Sequence, residues 1–331
     1  MAADLRSVPA GAIPSDATAP SDATAPSDAT ARPGDGGGAG LPASALAMPV
    51  RSVGLPADDL DRAVTAFMAA SPVSRRWDVE RDFDWAAADA NRLTDGQRSA
   101  VRFITFIEDH LPGYFALYGS RFPLDADTDV ETFLLNREIY HFTVRWAQEE
   151  DSHARALFRY QVESGISAAG PLRRELAEEG RKRFSLPHEH PAALFAYTLV
   201  QEKATQIYYQ NLKAVVGDPV LAEVLNRLSR DEARHFTFMA DMVETYLHRY
   251  GDAVVEPIRE AIAQFRMPLA DTLRGYWRWA LRIADTAHYD HTEAYEHLVR
   301  VVRRAVDAPS DRVDELDHFV RACRALPADS R

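Results

Sequence analysis

The sequence predicts an all-α protein, a helical bundle with additional flanking helices. Three observations point there. From residue 57 onward, apolar residues recur at three- and four-residue spacing with no convincing alternating stretch, the period of helices rather than strands. Several of these segments exceed 25 residues, a length that bundles use. The punctuation is also helical, with prolines opening segments at 191 and 219 and a glycine closing one at 251.

Residues 1–50 stand apart from this pattern. The hexad PSDATA occurs three times, at 14–19, 20–25 and 26–31, and PGDGGGAG follows at 33–40. Such a composition cannot bury enough apolar surface to offset chain entropy, so residues 1–50 are expected to be a disordered low-complexity tail and residues 51–331 the folded domain. The repeated Asp at 16, 22 and 28 argues against a targeting peptide, and a cytoplasmic protein is expected.

Within the domain, Leu60, Val64, Phe67 and Met68 mark a short first helix. A second begins near Thr94 and runs through VRFITFIEDHLPGYFALYG, with Pro112 removing the donor for the Glu108 carbonyl and distorting that turn. The third follows Asp127 or Thr128 as N-cap and continues from Val130 to about Val162. A shorter, charged fourth follows Pro171. The fifth runs from Pro191 to about Val216, and the sixth from Asp218-Pro219 to Tyr250. Further helices are expected at 253–285, 290–306 and 311–324.

Composition narrows the chemistry. Lys and Arg number 38 against 50 Asp and Glu, a formal charge of −12 that disfavours nucleic acid as a partner. The single cysteine, Cys323, excludes an internal disulfide and any multi-cysteine metal site made by this chain alone. A bound metal must therefore be held by His and carboxylates. No run approaches the roughly 18 apolar residues of a membrane span.

Two such motifs stand on long helices. QEEDSH (148–153) holds Glu150 and His153, and SRDEARH (229–235) holds Glu232 and His235. Positions i and i+3 lie about 60° apart and one turn along, so both side chains reach one point. A single Glu-x-x-His is weak evidence, because 20 Glu and 11 His in 331 residues supply about one by chance. A third copy, Glu138 with His141, lies twelve residues before Glu150, about 120° around the helix, and is expected to face solvent or a second subunit.

The remaining helices strengthen the signal. Glu108 and Glu202 are acids inside otherwise apolar helices, where burial is costly without a cation. The helix order is thus Glu, Glu-x-x-His, Glu, Glu-x-x-His, the donor set of ferritin-like di-iron and di-manganese bundles. Four carboxylates and two imidazoles suit two iron ions, with manganese the main substitute. The plain alternative pairs Glu108 with Arg102 and Glu202 with Lys203 at helix edges.

At these residues the chain resembles the soluble acyl-acyl carrier protein desaturases, over roughly residues 55–285. EDHLP (108–112), WAQEEDSH (146–153), QEKAT (201–205) and DEARH (231–235) are similar to the four motifs of that family. The resemblance implies that Glu150 and Glu232 bridge two irons, that Glu108 and Glu202 each chelate one, and that His153 and His235 are terminal ligands. It further implies that Thr205 stands beside the oxygen-binding face and that Asp231 orients a ligand histidine. Trp77, in RRWDVERDF, would lie on the electron route. A Thr bonded to its own helix is the plain alternative for Thr205. Asp109 and His110 depart from the family pattern without touching the six ligand positions.

The implied activity is O2-dependent insertion of a cis double bond into an acyl chain held on acyl carrier protein, with reduced ferredoxin as electron donor and a homodimer as the assembly. Phe103, Phe106, Phe115, Tyr208 and Tyr209 lie on helices that could line the acyl channel. The carrier is acidic, so a local basic surface is required, with Arg173–Arg183 the first candidate and Arg300, Arg303 and Arg304 the second. Other di-iron chemistries leave traces that are missing: the radical tyrosine of ribonucleotide reductases would stand at Leu157, and the extra histidine of arylamine N-oxygenases at Leu228. A different ferritin-like oxygenase, or an iron-binding bundle without catalysis, remains the alternative.

Overall fold

The computed structural model describes residues 54–182, 184–267, 270, 285–305 and 311–325. The tail expected over 1–50, Arg183 of the basic stretch, and residues 271–284 of the helix expected over 253–285 lie outside the described residues. Among the described residues the regular structure is helical, with no strand.

The first helix, α1 (Ala57–Ala70), buries Leu60, Val64 and Phe67. The single helix expected from Thr94 is in fact two, α2 (Asp95–Glu108) and α3 (Leu111–Arg121). A capping box starts α2: Thr94 Oγ1 accepts from Gln97 N at 3.2 Å while Gln97 Oε1 accepts from Thr94 N at 3.0 Å. The break at Asp109-His110 follows from Pro112, which sits in the first turn of α3 and cannot continue the ladder begun in α2. The chain therefore turns directly after Glu108. His110 fills the corner against Phe184, and Gly113 leaves no room for a side chain there, since a Cβ would stand 2.9 Å from His110 Nε2 and 3.0 Å from Phe184 Cβ.

Helix α4 (Val130–Glu163) is capped by Asp129, whose carboxylate accepts from Thr132 N at 2.9 Å. The expected caps Asp127 and Thr128 belong instead to the preceding turn, where Thr128 Oγ1 donates to Asp125 at 2.9 Å. Helix α5 (Ala169–Gly180) begins two residues before Pro171. Helices α6 (Pro191–Val215) and α7 (Pro219–Tyr250) match their expected bounds closely. Gly251 ends α7 with φ 47°, a backbone region glycine enters without strain. Helices α8 (Asp252–Ala263), α9 (His291–Ala305) and α10 (Asp311–Ala325) follow, with α8 and α9 packed on α6 and α10 on both.

Every residue of α6 from Ala192 to Thr205 is buried, so this helix runs through the middle of the bundle with all of its faces covered. Two apolar clusters form along it. One joins Phe67, Phe142, Trp146, Phe195, Phe238 and Tyr246, with the Phe142 and Phe238 rings stacked at 3.7 Å. The other joins Ile104, Leu157, Tyr160, Leu212, Leu225 and Leu228. Helices α4, α6 and α7 contribute to both, and on each the stretch between the two clusters carries a buried acid, joined on α4 and α7 by a buried histidine. That polar layer is the waist of the bundle.

Candidate metal centre

Six side chains meet in the waist. Glu150 and His153 come from α4, Glu232 and His235 from α7, Glu202 from α6, and Glu108 from the last residue of α2. Two quartets form, Glu108, Glu150, His153, Glu232 and Glu150, Glu202, Glu232, His235, each with one ligand atom per residue lying within 4.8 Å of the others. Glu150 and Glu232 belong to both. His153 Nδ1 lies 3.5 Å from Glu108, 3.5 Å from Glu150 and 3.6 Å from Glu232. His235 Nδ1 lies 2.9 Å from Glu150, 3.2 Å from Glu232 and 3.5 Å from Glu202.

The outer ring nitrogens are held crosswise. His153 Nε2, on α4, meets Asp231 of α7 at 3.2 Å, and His235 Nε2, on α7, meets Glu149 of α4 at 3.0 Å. Each acid directly precedes the glutamate of its own helix that both quartets share, and serves the histidine of the other helix. A carboxylate on Nε2 fixes the proton there and leaves the Nδ1 lone pair free for the centre. Arg234 joins the two acids, bonding Asp231 and lying 3.4 Å from Glu149, while Ser71 Oγ donates to Glu149. Sequence reading had found Asp231 but not Glu149; the signal was present in the matching acids before Glu150 and Glu232.

The electrostatics are those of several acids and two imidazoles buried side by side. Burial pushes the Glu108 carboxyl above its ordinary value, with Glu150 beside it adding to the rise. Burial, Glu150 and Glu202 push Glu232 well up in the same way. Burial also opposes ionisation of Glu150, yet His153 and His235 hold it well below the usual carboxylate range. Both imidazoles are pushed far up despite their burial, His153 by Glu150 and Asp231 and His235 by Glu149 and Glu150. Asp231, although buried, is held down to about 2 by His153 and Arg234.

Two buried ligand atoms, His153 Nδ1 and Glu202 Oε1, have no hydrogen-bond partner. Orphaned polar atoms in a buried site are costly unless a ligand takes them. Oxygen and imidazole donors in this number fit a pair of first-row metal ions. The edge-pairing alternative does not hold: Arg102 pairs with Glu175 at 2.8 Å, and Lys203 lies 3.8 Å over the Phe236 ring.

The other expected positions vary in outcome. Trp77 Nε1 donates to Asp231 at 2.8 Å and its ring stacks on His153 at 6.1 Å and 4°, giving a continuous Trp77, Asp231, His153 chain from the periphery to the centre. Outside it lies a surface recess of about 80 Å³ lined by Arg76, Arg227, Arg230 and Arg234, a basic cluster that sequence reading missed because its members come from two segments. Thr205 Oγ1 bonds the carbonyls of Gln201 and Glu202 at 3.0 and 3.1 Å, the plain arrangement for a helical threonine. The same side chain also lines a cavity of about 20 Å³ shared with Glu108, Glu150, Glu202 and Glu232. Tyr209 donates its hydroxyl to Glu108 Oε1.

Phe115 is 43% exposed, whereas Phe103, Tyr208 and Tyr209 are buried. His141 is exposed and Glu138 half-buried, both away from the centre as expected. Of the second basic candidate, Arg304 pairs with Glu244 at 2.6 Å and Arg303 lies 3.7 Å from Asp317. In the first, Glu175, Glu178 and Glu179 interrupt the cations, and Lys182 pairs with Glu179.

A profile described as Fatty acid desaturase matches residues 67–321. The acyl-[acyl-carrier-protein] desaturase candidate DesA1 of Mycobacterium tuberculosis is 25% identical over 193 residues, 56% of this chain and 54% of that protein. Chloroplastic acyl-[acyl-carrier-protein] desaturase 6 of Oryza sativa subsp. japonica is 29% identical over 170 residues, 47% of this chain and 41% of that one. The chain thus spans about half the length of these relatives. Among solved structures, that of the desaturase candidate DesA2 from Mycobacterium tuberculosis matches with a TM-score of 0.56 at 17% identity, covering 78% of this chain and 98% of that one, a likeness of the ferritin-like fold.

Proposed function

The chain belongs to the fatty acid desaturase family, and from that membership we propose that it is an acyl-[acyl-carrier-protein] desaturase, inserting a cis double bond into a carrier-bound acyl chain with O2 and two electrons. The observation that carries this reading is the pair of overlapping buried quartets with their orphaned ligand atoms. Glu150 and Glu232 would bridge two iron ions, Glu108 and Glu202 would bind one each, and His153 and His235 would complete the set. When bound, the ion pair would supply activation of O2 and oxidation of an unactivated methylene pair.

The chain's own residues do the rest. Asp231 and Glu149, on Nε2 of His153 and His235, would keep the ring protons there and leave both Nδ1 atoms for the ions. The two apolar clusters exclude water from the waist, where stray reduction of the oxidant would be wasteful. Thr205 Oγ1 lines the cavity beside Glu202 and is the hydroxyl through which a proton is passed. Electrons enter along Trp77, Asp231 and His153, and the arginines around Trp77 suit a small acidic one-electron carrier, a reduced ferredoxin. A homodimer is supported by the exposed apolar stripe of Val130, Phe133, Leu134, Tyr140 and Val144 along α4.

The test is product analysis by mass spectrometry. Acyl carrier proteins bearing chains of several lengths are incubated with the iron-loaded protein, ferredoxin, its reductase and O2. A product lighter by two hydrogens from at least one chain length is expected. Absence of an unsaturated product from all of them overturns the assignment.

A further inference from the structure

The two halves of the centre are nearly symmetric in their histidines, each with Nδ1 inward and an acid on Nε2. They are not symmetric in their terminal carboxylates. Tyr209, on α6 and two turns beyond Glu202, is 1% exposed and donates its hydroxyl to Glu108 Oε1. The other oxygen of Glu108, Oε2, lies 3.5 Å from His153 Nδ1 and faces the centre. Glu202 has no such partner: Oε2 lies 3.5 Å from His235 Nδ1, and Oε1 is buried with no hydrogen bond at all. The neighbouring phenol, Tyr114, is directed to Gln201 instead.

We propose that Tyr209 is a positioning residue that reserves one oxygen of Glu108, making the two metal positions of this chain chemically unlike. The inference rests on the metal pair of the proposed function. An oxygen that accepts a hydrogen bond from a phenol must be aimed along that bond, and the electron density it shares there weakens it as a metal donor. Glu108 then offers one free oxygen and Glu202 two. The His153 position is left with one donor atom fewer than the His235 position. The resemblance implied that Glu108 and Glu202 each chelate one iron, and the hydrogen bond from Tyr209 sets the two glutamates apart.

The asymmetry is readable without turnover. The protein is loaded anaerobically with two equivalents of ⁵⁷Fe(II), and its Mössbauer spectrum is recorded beside that of Tyr209→Phe, with circular dichroism confirming the helical fold of both. The native protein is expected to show two doublets of equal area and unequal splitting, and ferrous titration to resolve two steps about tenfold apart in affinity. In Tyr209→Phe the doublets and the two steps should converge as Glu108 regains its second oxygen. A single doublet from the native protein overturns the inference, as does a native-like pair in the variant. Should the variant not fold, the native spectrum and titration decide alone. Binding of fewer than two irons would overturn the metal-pair reading as well, whereas two equivalent irons would overturn this inference and leave that reading standing.

Discussion

Glu150 and Glu232 each face both imidazoles, so in metal-free protein the protonation of these groups adjusts together. The direction of this adjustment sets a pH dependence. Glu108 and Glu232 have raised carboxyl values when folded, so the unfolded chain ionises first and stability falls as pH rises above 4.5. His153 and His235 are raised above 6.5, so their contribution is complete below that pH and is lost as pH climbs through the folded values. Both pairs act in one sense. Calorimetry on metal-free protein should show a melting temperature that declines from pH 5 to 8. Ferrous ion should reverse the slope, because binding displaces those protons and strengthens with pH. A second expectation concerns Asp231. Asp231→Asn keeps the shape but removes the charge that His153 and Trp77 share, and should weaken metal binding by about 10–100-fold in equilibrium titration. The six central residues were legible in sequence because an i, i+3 pair and an acid in an apolar helix are local patterns. Glu149 and Tyr209 were not, since their partners lie 86 and 101 residues away and depend on how helices cross.

Among the elements, the loop before α7 shows how the waist is kept in register. Asp218 is fully buried; one oxygen accepts from Leu221 N at 2.9 Å to cap α7, and the other accepts from Asp89 N at 3.0 Å with Arg92 at 3.7 Å. One side chain therefore both starts the helix that carries Glu232 and ties it to the segment following Trp77. Asp218→Ala should cost about 2 kcal/mol, read from denaturant unfolding of the metal-free protein. Asp218 was legible as a cap because Asp-Pro is a local start signal. The division of α2 from α3 was only half legible: Pro112 announced a distorted turn, but its position in the first turn of a new helix required the corner packing of His110 on Phe184.

For the molecule as a whole, the surface matters more than the net charge. A chain of −12 presents four arginines around the outer edge of Trp77, so a global excess of acid coexists with a local basic recess. Arg230 is exposed and Arg227 half-buried there. The double reversal Arg227→Glu with Arg230→Glu should raise the KM for ferredoxin about tenfold at low salt, with the difference shrinking at high salt and the iron content unchanged. The apolar stripe on α4 makes a separate prediction. Phe133→Asp with Val144→Asp should convert a dimer to a monomer in sedimentation velocity while leaving the helical signal intact. The basic recess was not legible in sequence, where Arg76 stands 151 positions from Arg227, whereas the α4 face was half legible, since Glu138 and His141 were expected to face solvent or a second subunit.

The crosswise hold of Asp231 on His153 and of Glu149 on His235 also bears on synthesis. When α4 leaves the ribosome its histidine has no acid, because that acid is made 78 residues later. At about 5–20 residues per second the wait is roughly 4–16 s, during which neither half of the centre exists. A nascent chain thus offers stray metal ions no finished site, and both positions are completed in one event when α7 docks.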